Sequence, residues 1–175
     1  MILSISGEIG EDSLKELVDG VNSLPDGDNL DFYLCSGGGE FPTMLTMLDI
    51  LQSNKEKITL IGHSELASAA FSLFFLAECP KRLILGTIGM MHLAVTPIMV
   101  TEKGRMANVG KVQVKYMASF IRGMKETLCV KLKMTSKEIK EINRHEGEMW
   151  FSPERMQEFY EICAEPVKQD QVSEI

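Results

Sequence analysis

Alternating strand and helix signals predict an α/β fold with a largely parallel sheet, and three observations carry that expectation. Short apolar strand patterns at Ile2-Leu3-Ser4-Ile5, Leu30-Asp31-Phe32-Tyr33-Leu34 and Ile58-Thr59-Leu60-Ile61-Gly62 are separated by segments with helical spacing. The stretch over 67–77 is apolar nearly all round, the pattern of a helix buried on every side. A glycine run, Ser36-Gly37-Gly38-Gly39, follows the second strand directly, and Ser68 takes the corresponding place after the third. Strands connected through helices pair in parallel by right-handed crossovers, and ligands of such sheets sit at the carboxyl ends of the strands.

Each element has its own justification. After the first strand and Gly7, Asp12-Ser13 opens an amphipathic helix bearing Leu14, Leu17, Val18 and Val21, which stops in the turn Pro25-Asp26-Gly27-Asp28. Beyond the glycine run, Leu45, Leu48 and Leu51 mark a helix over 44–51. The third strand and the buried helix come next, then a strand at Leu83-Ile84-Leu85 and an irregular segment over 90–101. A long helix over 109–130 carries Val112, Tyr116, Phe120 and Met124 among its apolar positions, and the chain beyond it reads as mainly helical. Thr135-Ser136-Lys137-Glu138 resembles a capping box, and Ser152-Pro153-Glu154 marks another helix start. Residues 166–175 are a polar tail.

With 175 residues, 45 % hydrophobic and 25 % charged, the chain suits one soluble globular domain. A net charge of −7 argues against nucleic acid or an anionic membrane surface as partner. The longest apolar run, 66–77, is too short to cross a bilayer, and no basic and apolar leader follows Met1. The four cysteines, Cys35, Cys79, Cys129 and Cys163, stand far apart, which suits reduced thiols in a cytoplasmic protein. No His/Cys/Asp cluster suggests a metal, and no cofactor is expected.

The chemistry centres on Ser68 and a small choice of bases. Glycines at a strand end bring backbone N–H groups close to a ligand, although neither the Walker pattern nor the dinucleotide fingerprint is present. Ser68 reads either as a helix N-cap or as a nucleophile at a helix N-terminus, where unpaired N–H groups suit a developing oxyanion. Ser64 competes with it but sits between His63 and Glu65 in an expected loop, whereas Ser68 has small flanking residues. Of three histidines, His63 precedes the helix and His145 lies in a charge run beside Arg144 and Glu146. His92 follows an apolar segment and two methionines, so partial burial and a role as base are expected. A triad also needs a carboxylate, which spacing alone does not select.

These motifs, in this order, resemble the proteolytic subunit of the Clp protease, in the wider group that includes signal peptide peptidase A and the crotonases. The resemblance runs from Met1 to about Tyr160. The strand Phe32-Tyr33-Leu34-Cys35 leads into Ser36-Gly37-Gly38-Gly39, matching the family's Ser-Pro-Gly-Gly turn with Gly37 for proline. Ser64-Glu65-Leu66-Ala67-Ser68 matches Gly-x-Ala-Ala-Ser, which ends in the nucleophile, and Ile88-Gly89-Met90-Met91-His92 matches the strand ending in the histidine. Glu148-Met149-Trp150-Phe151-Ser152 puts Glu148 where the family has its catalytic aspartate.

The resemblance implies a spiral of β-β-α units with a helical handle. One domain would span 1–165, with a head over about 1–108 and the handle and C-terminal helices over about 109–165. It further implies a serine endopeptidase with Ser68 as nucleophile, His92 as base and Glu148 as orienting carboxylate. Backbone N–H groups of Gly38 and Ala69 would form the oxyanion hole, each such donor contributing roughly 3–4 kcal/mol to transition-state stabilisation. The substrate would be short or unfolded polypeptide, inside a homo-oligomeric ring, a heptamer or double ring. Four departures stand out. Ser64 and Leu66 replace the family's Gly and first Ala, so that with Gly62 as the glycine the path to Ser68 must bulge. Glutamate replaces aspartate, Leu93-Ala94 replaces Gln-Pro, and no axial segment precedes the first strand, so docking of an ATP-driven unfoldase is not expected. Two alternatives stay open: a catalytically inactive ring subunit of the same fold, and a crotonase-type acyl-CoA enzyme, in which coenzyme A would bind and Ser68 would not act.

Overall fold

The structure, a computed structural model, describes residues 1–92, 108–144 and 147–164. The described residues form six strands and six helices in an α/β arrangement around one mixed sheet. In chain order these are β1 (Ile2–Ile9), α1 (Glu11–Asn22), β2 (Leu30–Gly39), α2 (Phe41–Ser53), β3 (Ile58–Ala67) and α3 (Ala69–Leu76). There follow β4 (Lys81–Leu83), β5 (Ile88–His92), α4 (Asn108–Lys131), α5 (Ser136–Ile142), β6 (Glu148–Phe151) and α6 (Pro153–Ala164). The sheet order is β1-β2-β3-β5-β6, with β4 also paired to β3. All pairings are parallel except β5 with β6.

β3 organises the sheet by changing partners along its length. Its first half, Leu60 to Gly62, pairs with Lys81 to Leu83 of β4, and its last residues, Glu65 to Ala67, pair with Ile88 to Met90 of β5. Between these halves the register with β2 slips: Leu34 faces Gly62, but Ser36 faces Leu66. Three residues of β3, His63 to Glu65, thus oppose Cys35 alone, a bulge that bends the strand. A smaller slip lies between β1 and β2, where Ser6 faces Cys35 but Glu8 faces Gly38.

α3 is the core helix, as its uniform apolarity requires. Ala69, Ala70, Phe71, Leu73, Phe74 and Phe75 are all buried. Phe71 stacks on Phe151 of β6 with centroids 5.5 Å apart, and Phe159 of α6 closes the cluster 5.0 Å from Phe151 and 6.0 Å from Phe75. Tyr160 adds a hydroxyl that donates to the Lys81 carbonyl at 2.9 Å, tying α6 to β4.

Several expectations need correction. The stretch 63–66, read as a loop, belongs to β3, because the bulge lets the strand continue to its pairing with β5. The fourth strand is Lys81–Leu83 rather than Leu83-Ile84-Leu85; Leu85 is 85 % exposed in a turn closed by the bond from Thr87 N–H to the Ile84 carbonyl at 3.2 Å. Met90 to His92, placed in an irregular segment by their pattern, form the end of β5, the strand Ile88–His92 that the resemblance implied. β6 lies where the sequence read as helical, since four residues offer too short a pattern to distinguish. On α4 the inward stripe is shifted: Phe120 is exposed, while Ile121, Lys125 and Leu128 are buried. Residues 93–101, the tail over 166–175 and His145 lie outside the described residues, as do the side chains of Val112 and Tyr116.

The expected capping box is present: Glu138 N–H donates to Thr135 Oγ1 at 3.2 Å and Thr135 N–H to Glu138 Oε2 at 2.6 Å. Glu138 also receives Arg155 of α6 through Nε at 2.8 Å and Nη2 at 3.0 Å. Burial pushes the Glu138 carboxyl up, but the Arg155 and Thr135 donors outweigh it and hold its pKa below the ordinary 4.5. A carboxylate depressed in the fold adds stability that is complete above 4.5 and is lost as pH falls through the lower folded value. Denaturant midpoints of the wild type should therefore fall as pH drops below 4.5, and Glu138→Gln should lower the neutral-pH midpoint and flatten that acid limb.

Candidate active site

Ser68 sits between the last residue of β3 and the first of α3, in a conformation few side chains adopt. Its φ is 54° and its ψ −115°, and its hydroxyl makes no cap bond to the helix, so the N-cap expectation fails at the side chain. Backbone in such a region costs about 1–3 kcal/mol and persists only where the surroundings over-determine it. Here they do. Ser68 N–H donates to the Met90 carbonyl at 2.8 Å, and its own carbonyl accepts from Ser72 N–H at 3.2 Å and from Ser72 Oγ at 3.3 Å. A serine held on a strained strand-to-helix turn presents its hydroxyl outward, the geometry of a nucleophile elbow.

The hydroxyl meets the expected base. Ser68 Oγ lies 2.6 Å from His92 Nε2, within hydrogen-bond reach. The contact follows from pairing: β3 and β5 run parallel with Ala67 facing Met90, which sets the ends of both strands side by side. With the proton on Nδ1, Nε2 accepts from the serine hydroxyl. Burial holds the His92 pKa below the ordinary 6.5; the Glu148 carboxylate opposes this, and the Lys125 ammonium adds to it. The imidazole is therefore neutral at pH 7, the form that takes a proton.

Glu148 is directly across from His92 in the antiparallel β5–β6 pair. Its carboxylate is exposed and accepts from Trp150 Nε1 at 3.3 Å. No hydrogen bond or ion pair joins Glu148 to His92, and among the described residues His92 Nδ1 has no partner. The structure thus brings Glu148 to the neighbourhood of the imidazole without placing it in the orienting contact.

The glycine run belongs to the end of β2, and it presses against Ser68. A Cβ built on Gly38 would sit 2.6 Å from Ser68 Cβ, 3.0 Å from the Ala67 carbonyl oxygen and 3.1 Å from Ala69 N, and its φ is +109°. Gly38 and Ala69 therefore converge on one side of Ser68. Ala69 opens α3, a position whose N–H has no acceptor within the helix. Gly38 N–H is engaged by Ser36 Oγ at 3.0 Å, and that hydroxyl in turn donates to the Gly38 carbonyl at 3.2 Å. The rival pair lies on the bulge, His63 half-buried and Ser64 exposed, with Nδ1 and Oγ 3.1 Å apart.

Phe41, Ser72, Met91, Ile121, Met124 and Lys125 wall the cavity onto which Ser68 and His92 open. Sequence reasoning missed Lys125; the available signal was a lysine on the inward stripe of α4, between Ile121 and Leu128. It also missed Ser72, whose hydroxyl bonds the Ser68 carbonyl, and it read Ser36 only as part of the glycine motif, not as the hydroxyl that holds Gly38. No family model matches the chain, and no curated protein matches it. No helix among the described residues is long and apolar enough to cross a membrane.

Gly38→Ala tests the tight seat of Ser68. The added carbon collides with Ser68 and holds a φ that L residues rarely adopt, a cost of about 2 kcal/mol. The thermal midpoint should drop by roughly 4–8 °C for a domain of this size, measured by calorimetry. An unchanged midpoint would mean that the glycine turn is not pressed against Ser68.

Proposed function

We propose that the protein is a serine peptidase of the Clp proteolytic-subunit type. The observation that carries this reading is the 2.6 Å contact between Ser68 Oγ and His92 Nε2, made by a serine in a strained strand-to-helix turn. A cap serine needs neither the strain nor the imidazole. In the reaction, Ser68 Oγ attacks the scissile carbonyl while His92 Nε2 takes the hydroxyl proton. The carbonyl oxygen, now negative, lies at the N-terminus of α3, where Ala69 N–H donates and Gly38 N–H joins once it leaves Ser36 Oγ. His92 returns the proton to the leaving amine, and water hydrolyses the acyl-enzyme by the same exchange.

The finer architecture belongs to the same proposal. The change of partner along β3, from β4 to β5, suits a spiral of β-β-α units, and α4, 24 residues long, suits the handle. Assembly into a ring, with short or unfolded peptides as substrate, follows from the resemblance alone. A second reading has its own observation: with Glu148 bonded to Trp150 and Gly38 N–H bonded to Ser36, the chain fits a ring subunit that keeps the fold without turnover. Peptide hydrolysis by the assembled protein separates the two.

Ser68→Ala should abolish both hydrolysis and labelling by a fluorophosphonate; wild-type assembled protein that takes up no label would sink the catalytic reading. Because His92 must be neutral to act, kcat/KM should hold to below pH 6.5 before falling. Glu148 stabilises the imidazolium, so Glu148→Gln should move that acid limb to lower pH. If Glu148 also orients the ring during turnover, kcat falls with it. A shift of the limb at constant kcat would assign Glu148 a purely electrostatic role.

A further inference from the structure

A buried cation stands in the wall of the Ser68–His92 cavity. Lys125 is 6 % exposed, lines the cavity with Phe41, Met91, Ile121 and Met124, and occupies a position of α4 where an apolar residue would complete the stripe. Its ammonium donates to the Ile142 carbonyl and to Asn143 Oδ1, each at 3.2 Å. Both acceptors are neutral, and among the described residues no carboxylate pairs with it. An ammonium has three N–H donors, so one is left without a partner among the described residues. Burial pushes its pKa below the ordinary 10.5, as expected of a charge without a counter-ion. Capping the C-terminus of α5 accounts for the two bonds. It does not account for burying a whole charge close enough to lower the His92 pKa, since an exposed lysine caps a helix as well.

We propose that Lys125 sets substrate specificity by receiving the side-chain carboxylate of an aspartate on the amino side of the scissile bond; this rests on the serine-peptidase reading above. The apolar walls make such a pair stronger than it would be in water. The cavity holds about 50 Å³ of free space. That is far below the roughly 150 Å³ that admits benzene in an engineered cavity, so a short acidic side chain fits and an aromatic one does not. A lysine in the substrate would meet like charge and be rejected. The net charge of −7 disfavours acidic peptides at long range, so this preference is local to the cavity.

The test uses the assembled protein and fluorogenic peptides that differ only in the residue before the scissile bond: Asp, Asn, Leu or Lys. The Asp peptide should exceed Asn and Leu by about tenfold or more in kcat/KM, with Lys the poorest. Lys125→Met keeps the stem and removes the charge, and the Asp-to-Leu ratio should collapse to about one. Asn143→Asp, nearly isosteric, sets a carboxylate against the same ammonium and should produce the same collapse if Lys125→Met fails to fold. A wild-type ratio near one, or a ratio that survives in Asn143→Asp, overturns the proposal while fluorophosphonate labelling of Ser68 leaves the peptidase reading standing. No labelling together with no cleavage overturns both.

Discussion

The burial of α3, of which only Ser72 and Leu76 are partly exposed, is the constraint from which the rest of the structure follows. Its eight residues present no polar face, so each side must be covered, and the sheet, α2, α4 and the aromatic rings of β6 and α6 supply the cover. Truncating Phe71 or Phe75 would open a cavity at the centre of that packing, where such changes cost about 3–5 kcal/mol. The same packing removes any freedom in where α3 begins. Ser68 is carried to its place by a helix that cannot rotate or slide without exposing phenylalanine.

This fixed start explains how a strained residue is tolerated. β3 must end at Ala67 to pair with Met90, and α3 must begin at Ala69 to bury its rings, so the one intervening residue takes the whole change of direction. The bulge at His63 to Glu65 provides the slack that lets β3 satisfy β4, β2 and β5 in turn. Phe151 links the packing to the chemistry, because its stacking on Phe71 fixes β6, and β6 sets Glu148 opposite His92. Stability and site geometry therefore depend on the same contacts.

The sequence showed much of this, unevenly and for physical reasons. The order of strands and helices was legible because α1, α2 and α4 carry helical spacing and β1, β2 and β3 open on alternating or continuous apolar runs. Ser68 and His92 were legible as a pair because small residues flank one and an apolar segment leads to the other. The continuation of β3 through His63-Ser64-Glu65 was not, since polar residues on a bulge look like a loop. β6 escaped because four residues carry too little periodicity, and Leu83-Ile84-Leu85 misled because two exposed apolar side chains imitate a strand. The orientation of Glu148 toward Trp150 depends on rotamers, which composition does not encode. Lys125 was readable only after the inward stripe of α4 had been placed.

The two ends of α3 are treated in opposite ways, and the contrast gives the site its electrostatic sense. At the C-terminal end, Lys81 Nζ donates to the Ala77 carbonyl at 2.5 Å and Lys131 Nζ to the Phe75 carbonyl at 2.9 Å, so two cations satisfy the carbonyls that the helix leaves open. At the N-terminal end no acidic side chain lies in the first turn, and the Ser68 hydroxyl makes no cap bond. The positive end of the dipole is thus left without its usual negative partner, at the point where Gly38 and Ala69 converge on Ser68. An anion that forms there only transiently would find the Ala69 N–H at the open helix end, with the Gly38 N–H to join it on release from Ser36 Oγ. A carboxylate or an ordinary N-cap at the same place would stabilise the helix more and remove that property, so the helix is capped at the end remote from Ser68 and left open at the end beside it.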